Sequence, residues 1–180
     1  LVVGHIPGAR APLETRHAWH VLVEYVSAGE SRDALETLLG AALEAGMAEN
    51  ATVSANEAQA EAFWRLRDSI SEAERGAGPA TQHDISVPVD AMPEFMVSAA
   101  RAVEAAFPGV SAAAFGHLGD GNVHFHVRAP SGANGDVWRA GEGKAASHLV
   151  YDLVVAAKGS ISDEHGIGQM KRADQLRLSD

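Results

Sequence analysis

The stretch AAFGHLGDGNVHFHVRAP (residues 113–130) holds three of the chain's nine histidines, His117, His124 and His126, around a Gly-Asp-Gly turn. Asp-Gly between two runs of alternating apolar and polar residues is a strong hairpin signal. With Asp120 and Gly121 as the central turn residues, His117 faces His124 and Leu118 faces Val123. Side chains alternate along strands, so Phe115, His117, His124 and His126 share one face. Leu118, Val123, Phe125 and Val127 share the other, which is the core face. A hairpin here also requires the sheet to be at least partly antiparallel.

Working outward, residues 1–18 are rich in Gly, Pro and Arg and read as an irregular lead-in. WHVLVEYVS (19–27) reads as a strand from its β-branched and aromatic content. SRDALETLLGAALEAG (31–46) has a Ser cap, helical periodicity and a Gly stop. ATVS (51–54) reads as a short strand, and Asn56 as the cap of a helix over 57–76. HDISVPV (83–89) is expected as a strand ended by Pro88, followed by an amphipathic helix over 90–107. The two hairpin strands, 110–118 and 122–129, come next. A loop at 131–135 leads to one long helix over 137–159, whose helical pattern weakens near Gly141 and Gly143. SISDEHGIGQMKRADQLRL (160–178) closes the chain as a loop running into a helix. The order β-α-β-α-β-α-β-β-α predicts an α+β fold: a ferredoxin-like α/β sandwich, mostly antiparallel, with helices packed on one face of the sheet.

The totals narrow the function. At 180 residues and 46% hydrophobic, the chain can bury a sizeable core. A formal net charge of −10 without a basic run argues against nucleic acid or an anionic membrane as partner. An acidic chain that binds an anionic substrate needs a local feature, such as a metal or one well-placed Arg. The absence of cysteine excludes disulfides, thiol catalysis and thiolate metal sites, and suits a reducing compartment. No apolar run reaches the roughly 18 residues of a membrane-spanning helix. Both ends read as cuts, which suggests a piece of a longer protein.

Two imidazoles on one sheet face can chelate a metal, although a pair of half-exposed histidines decorating a sheet explains them as well. DEHGIG (163–168) adds Glu164 and His165 on a glycine-flanked loop; alone it also reads as a helix entry with an acidic residue near its positive end. Together His117, His124 and Glu164 form a two-His, one-carboxylate set that leaves a coordination position open for water or substrate.

FGHLGDGNVHFHV and SDEHGIGQMKR resemble the GHxGDGNxH and EHGIG signatures of the C-terminal domain of FAD-linked oxidases. This is the family of D-lactate dehydrogenase, D-2-hydroxyglutarate dehydrogenase and glycolate oxidase subunits. WRLRDSISEA (64–73) and HDISVPVDAMPEF (83–95) look like two further family segments in the expected order. The resemblance implies that residues 19–180 are this domain, cut short at its C-terminal end, and that a separate FAD-binding domain of the same polypeptide lies outside the chain. It implies FAD, held mainly by that missing domain, and a divalent metal, usually zinc, on His117, His124 and Glu164. His165 stands at the place of the proposed base. Arg67 matches an Arg that grips the substrate carboxylate, and Ser71 a hydroxyl residue one helical turn on. His126 replaces an Asn, and Gln82 a Lys, of hydroxyglutarate-type members, so the distal specificity does not carry over.

The implied activity is oxidation of a 2-hydroxy acid to a 2-oxo acid, with hydride transfer to flavin and no turnover from these residues alone. Such an enzyme belongs in a bacterial cytoplasm or a mitochondrion, and a homodimer is compatible with it. Two other classes stay open on the residues alone: a metal-dependent hydrolase using the His/His/Glu set, and a non-catalytic ligand-binding module. Each residue also has a plainer reading. Arg67 shares its helix with Glu61, Arg65, Asp68 and Glu72, where surface pairing would account for it. His126 either packs beside Phe115 or lines the pocket as a substrate-binding residue. His83 reads as structural, on a strand edge, and His5, His17, His20 and His148 show no partner pattern.

Overall fold

The computed structural model describes residues 1–26, 31–163, 166–168 and 171–178. These form two compact units, residues 1–77 and 78–180. The first unit carries α1 (Val2–His5), α2 (Ser31–Glu44), α3 (Glu57–Asp68) and α4 (Ile70–Gly76). Asn56 caps α3 as its sequence predicts: its Oδ1 accepts from the Gln59 amide at 3.0 Å, while Gln59 Oε1 accepts from the Ala55 amide at 2.7 Å. This reciprocal arrangement satisfies backbone donors the helix itself cannot. The helix expected to run on to residue 76 breaks at Ser69, whose backbone sits at φ −80°, ψ −1°.

The strands expected at 19–27 and 51–54 are not formed by residues 19–26 or 51–54; residue 27 lies outside the described residues. Their composition suits a strand, but a strand is held by ladder bonds to a neighbour. These segments have no such neighbour in the sheet, and Trp19, Val21 and Tyr25 stay at least half exposed.

The second unit carries β1 (Ala80–Ser86), α5 (Met92–Ala106), β2 (Ser111–His117), β3 (Asn122–Arg128), α6 (Gly135–Ala140), α7 (Glu142–Ala156) and α8 (Arg172–Leu178). The strands form one antiparallel sheet in the order β1-β3-β2. Its core face presents Ile85, Val123, Phe125 and Val127 to Phe95, Ala99 and Val103 of α5 and to Ala146, Val150 and Val154 of α7. Each fully buried Val or Phe contributes about 1.5–3 kcal/mol. The α+β architecture expected from the sequence is the one observed. Strand β1 begins and ends three residues earlier than expected, because Ser86 closes it in a bridge with Ser160. The long helix divides at Gly141, at φ −106°, ψ −101°.

The hairpin corrects the expected register. His117 pairs with Asn122 and Phe115 with His124, leaving Leu118–Gly121 as a four-residue loop. Two bonds favour the longer loop: the Gly121 amide reaches the His117 carbonyl at 3.2 Å, and the Asn122 amide reaches Asp120 Oδ1 at 3.0 Å. The second is an Asx turn, which competes with the two-residue turn. Gly121 adopts φ +79°, and a Cβ there would collide with the Val87 carbonyl. A shift of two residues preserves side-chain parity, so the three histidines keep their common face. Leu118 leaves the core face for the loop and is 54% exposed.

His83 sits on the core face rather than at a strand edge. Its Nδ1 donates to the Phe125 carbonyl at 2.8 Å, and its Nε2 lies 2.9 Å from the Ser147 hydroxyl. Burial, with smaller contributions from His126 and Lys171, lowers its pKa from 6.5 to about 4. The unfolded chain therefore takes up a proton that the folded chain refuses. Stability is full above about pH 6.5 and is lost as pH falls toward 4, by on the order of 2–3 kcal/mol from this group. Urea unfolding between pH 7 and 4.5 should show that loss in the native chain, and His83→Gln should flatten it.

Candidate functional site

The outer face of the sheet collects Gln82, Asp84 and Ser86 from β1, Asn122, His124 and His126 from β3, and Ala113, Phe115 and His117 from β2. The alternation that sends Ile85 and Phe125 into the core puts these residues opposite. The rings of His117 and His124 lie 6.1 Å apart between centroids and 81° to one another. Two imidazoles sharing one ion, each with a nitrogen about 2.0–2.1 Å from it, have centroids about 5 Å apart. A side-chain adjustment of about 1 Å would close that difference. Phe115 packs against both His124 and His126, each at 5.1 Å between ring centroids. His126 is only 5% exposed, so its packing against Phe115 is secured by burial.

Beside the histidines lies a polar cluster. Nδ2 of the fully buried Asn122 donates to Asp84 Oδ1 at 2.8 Å and to Asp163 Oδ2 at 2.9 Å. Asp84 Oδ1 also lies 3.5 Å from His124 Nδ1. Lys171 Nζ donates to the carbonyls of Asp84 at 3.0 Å and Ile161 at 2.8 Å. Burial lowers the Lys171 pKa, while Asp84 pulls it the other way. Ser86 and Ser160 exchange two backbone bonds, at 2.8 and 3.0 Å. Residues 160–163 are thus fastened to β1 and β3 through Ser160, Ile161 and Asp163.

The structure brings His117, His124 and His126 onto one face. Glu164 and His165 lie outside the described residues. Arg67, on α3, and Ser71, on α4, are partly buried in the first unit. Among the described residues no three His, Asp or Glu side chains form a group that could hold a metal ion. His117 and His124, the two-histidine part of the expected set, have ring centroids about 1 Å farther apart than a shared ion needs. Gly119 and Gly121 belong to a strand-to-strand loop, not to the strand-to-helix turn that cradles a pyrophosphate.

Sequence reasoning passed over Asp84, Asn122, Asp163 and Lys171. The signal for Asp84 was its alternation with His83 and Ile85, which puts it on the histidine face. Asp163 and Lys171 were visible only as neighbours of EHGIG. Asn122→Ala should cost about 1–3 kcal/mol by leaving buried acceptors unbonded. Asn122→Asp, which brings a third carboxylate against Asp84 and Asp163, should cost more at pH 7. Urea denaturation of both variants with a chelator present measures the order.

A family model described as FAD linked oxidases, C-terminal domain, matches residues 1–178. The chain is 34% identical over 171 residues to a D-2-hydroxyglutarate dehydrogenase of Xanthomonas citri pv. viticola, covering 92% of this chain and 35% of that protein. It is 33% identical over 173 residues to a mitochondrial D-2-hydroxyglutarate dehydrogenase of Arabidopsis thaliana, covering 95% and 29% respectively. The D-2-hydroxyglutarate dehydrogenase of Stutzerimonas stutzeri matches at 34% over 178 residues, covering 98% and 37%. The chain therefore spans about a third of the length of these relatives. Among the described residues no helix is long and apolar enough to cross a membrane.

Proposed function

The chain belongs to the family of FAD-linked oxidase C-terminal domains, and on that premise we propose that it is the substrate and cap domain of an FAD-dependent 2-hydroxy-acid dehydrogenase. The substrate is of the D-2-hydroxyglutarate, D-lactate or glycolate type, oxidised at its hydroxyl to the 2-oxo acid. A flavin-binding domain elsewhere on the same polypeptide completes the enzyme, and these residues alone give no turnover. One observation carries the reading: His117 and His124 share a face, and Asn122 between them is bonded to Asp163, the residue before Glu164.

His117, His124 and Glu164 would hold a divalent ion, with zinc the first candidate, whose chemistry would be Lewis acidity, and hydride acceptance would be the chemistry of FAD. His165 takes the hydroxyl proton, because imidazole titrates near neutral pH. Arg67 grips the carboxylate through two parallel bonds, a geometry that Lys does not reproduce. Ser71, past the helix break at Ser69 and on α4 rather than one turn along the same helix, offers the substrate a hydroxyl donor. His126, held against Phe115, borders the histidine face and meets the substrate's side chain.

The test uses the polypeptide that carries this chain together with its flavin domain. Anaerobic D-lactate or D-2-hydroxyglutarate should bleach the flavin absorbance, and His117→Ala or His124→Ala should slow the bleaching at least about 100-fold. A flavin that neither acid bleaches, or a His117→Ala protein that bleaches at the native rate, overturns the reading.

A further inference from the structure

We propose that Asp84 is a positioning residue that fixes the ring of His124 for ion binding, a role that rests on the ion-binding reading of His117 and His124. The β1–β3 register sets Asp84 directly opposite His124. Directly opposed Cβ atoms are about 4.5–5.5 Å apart, close enough for the two side chains to meet. They do: Asp84 Oδ1 lies 3.5 Å from His124 Nδ1, with side chains only 12% and 18% exposed. A carboxylate facing Nδ1 favours the tautomer that keeps its proton there. The lone pair is then left on Nε2, and that nitrogen becomes the more basic donor to a cation.

Asp84 is well placed for this because it is itself held. Asn122 Nδ2 donates to its carboxylate, and Lys171 Nζ donates to its backbone carbonyl. The same Asn122 amide group bonds Asp163. One network therefore orients a histidine on β3 and secures the residue that leads into EHGIG. His117 is set opposite Asn122 instead, so its directly opposed neighbour carries no charge. Asp84 directly faces His124, so its substitution acts first on that ring.

Two readouts on the 180-residue chain test this. In the metal-free chain at pH 8, nitrogen NMR of labelled histidine should show His124 protonated at Nδ1. Asp84→Ala should move that population toward Nε2–H. Zinc affinity, measured by competition with a chromogenic chelator, should fall about 10–100-fold in Asp84→Ala. Asp84→Asn keeps an acceptor for Asn122 and His124 but loses the charge, so its zinc affinity should fall by less while its circular dichroism stays native. Asp136→Ala, an exposed carboxylate on α6, should change neither readout.

An unchanged His124 tautomer in Asp84→Ala overturns the proposal. If Asp84→Ala does not fold, Asp84→Asn carries the test, and a folded Asp84→Asn with native zinc affinity overturns it. A native chain that takes up no zinc overturns the ion-binding reading, and a tautomer shift in Asp84→Ala then shows only that Asp84 orients the His124 ring.

Discussion

One amide group ties two distant carboxylates together on the outer face of the second unit. Nδ2 of Asn122 has two protons, and each meets a carboxylate from a different part of the chain: Asp84 on β1 and Asp163 on the segment after α7. A neutral double donor meets both carboxylates at that point. A hydroxyl has only one proton to give, and an acid would repel both partners. Because Asn122 is the first residue of β3, two positions before His124, the network orients the hairpin and the segment leading into EHGIG at once.

The sheet divides its chemistry by parity. In β1, His83 points to the core, where burial keeps its imidazole neutral, and the next residue, Asp84, points to the outer face. In β3, Phe125 and Val127 fill the core while His124 and His126 stand on the other side. The same residue type thus serves opposite purposes on one sheet. His83 satisfies the Phe125 carbonyl and stays uncharged inside a helix-covered layer. His124 faces the carboxylate of Asp84. Rigid packing of the core face by α5 and α7 is what lets the outer face hold its geometry.

Much of this was legible in the chain itself, because alternation carries more information than register. The Asp-Gly signal predicted a two-residue turn, and the Asx bond of Asp120 gave a four-residue loop instead. The histidines still landed on one face, since the error was an even number of residues. The strands at 19–27 and 51–54 were misread for a different reason. Propensity describes a preference, whereas a strand exists only where a neighbour completes its ladder, and residues 19–26 leave their apolar side chains exposed. Asp84 and Asn122 escaped notice because hydrogen bonds between segments distant in sequence leave no periodic trace. His83 was read as structural, but at a strand edge rather than on the buried core face where it lies.

Charge explains why the proposed chemistry needs an ion. The chain is acidic overall, and the histidine face adds Asp84 and Asp163 close together. Lys171 is the cation nearest this network in its bonding, yet its ammonium is spent on two backbone carbonyls. A substrate carboxylate approaching such a face meets repulsion, which a low local dielectric strengthens. A divalent cation seated between His117 and His124 would offset that negative charge and give the hydroxyl and carboxylate oxygens something to bind. The anionic surplus that repels the free substrate is also what favours cation binding, so the acidity of the face works for the proposed reaction only once the ion is in place.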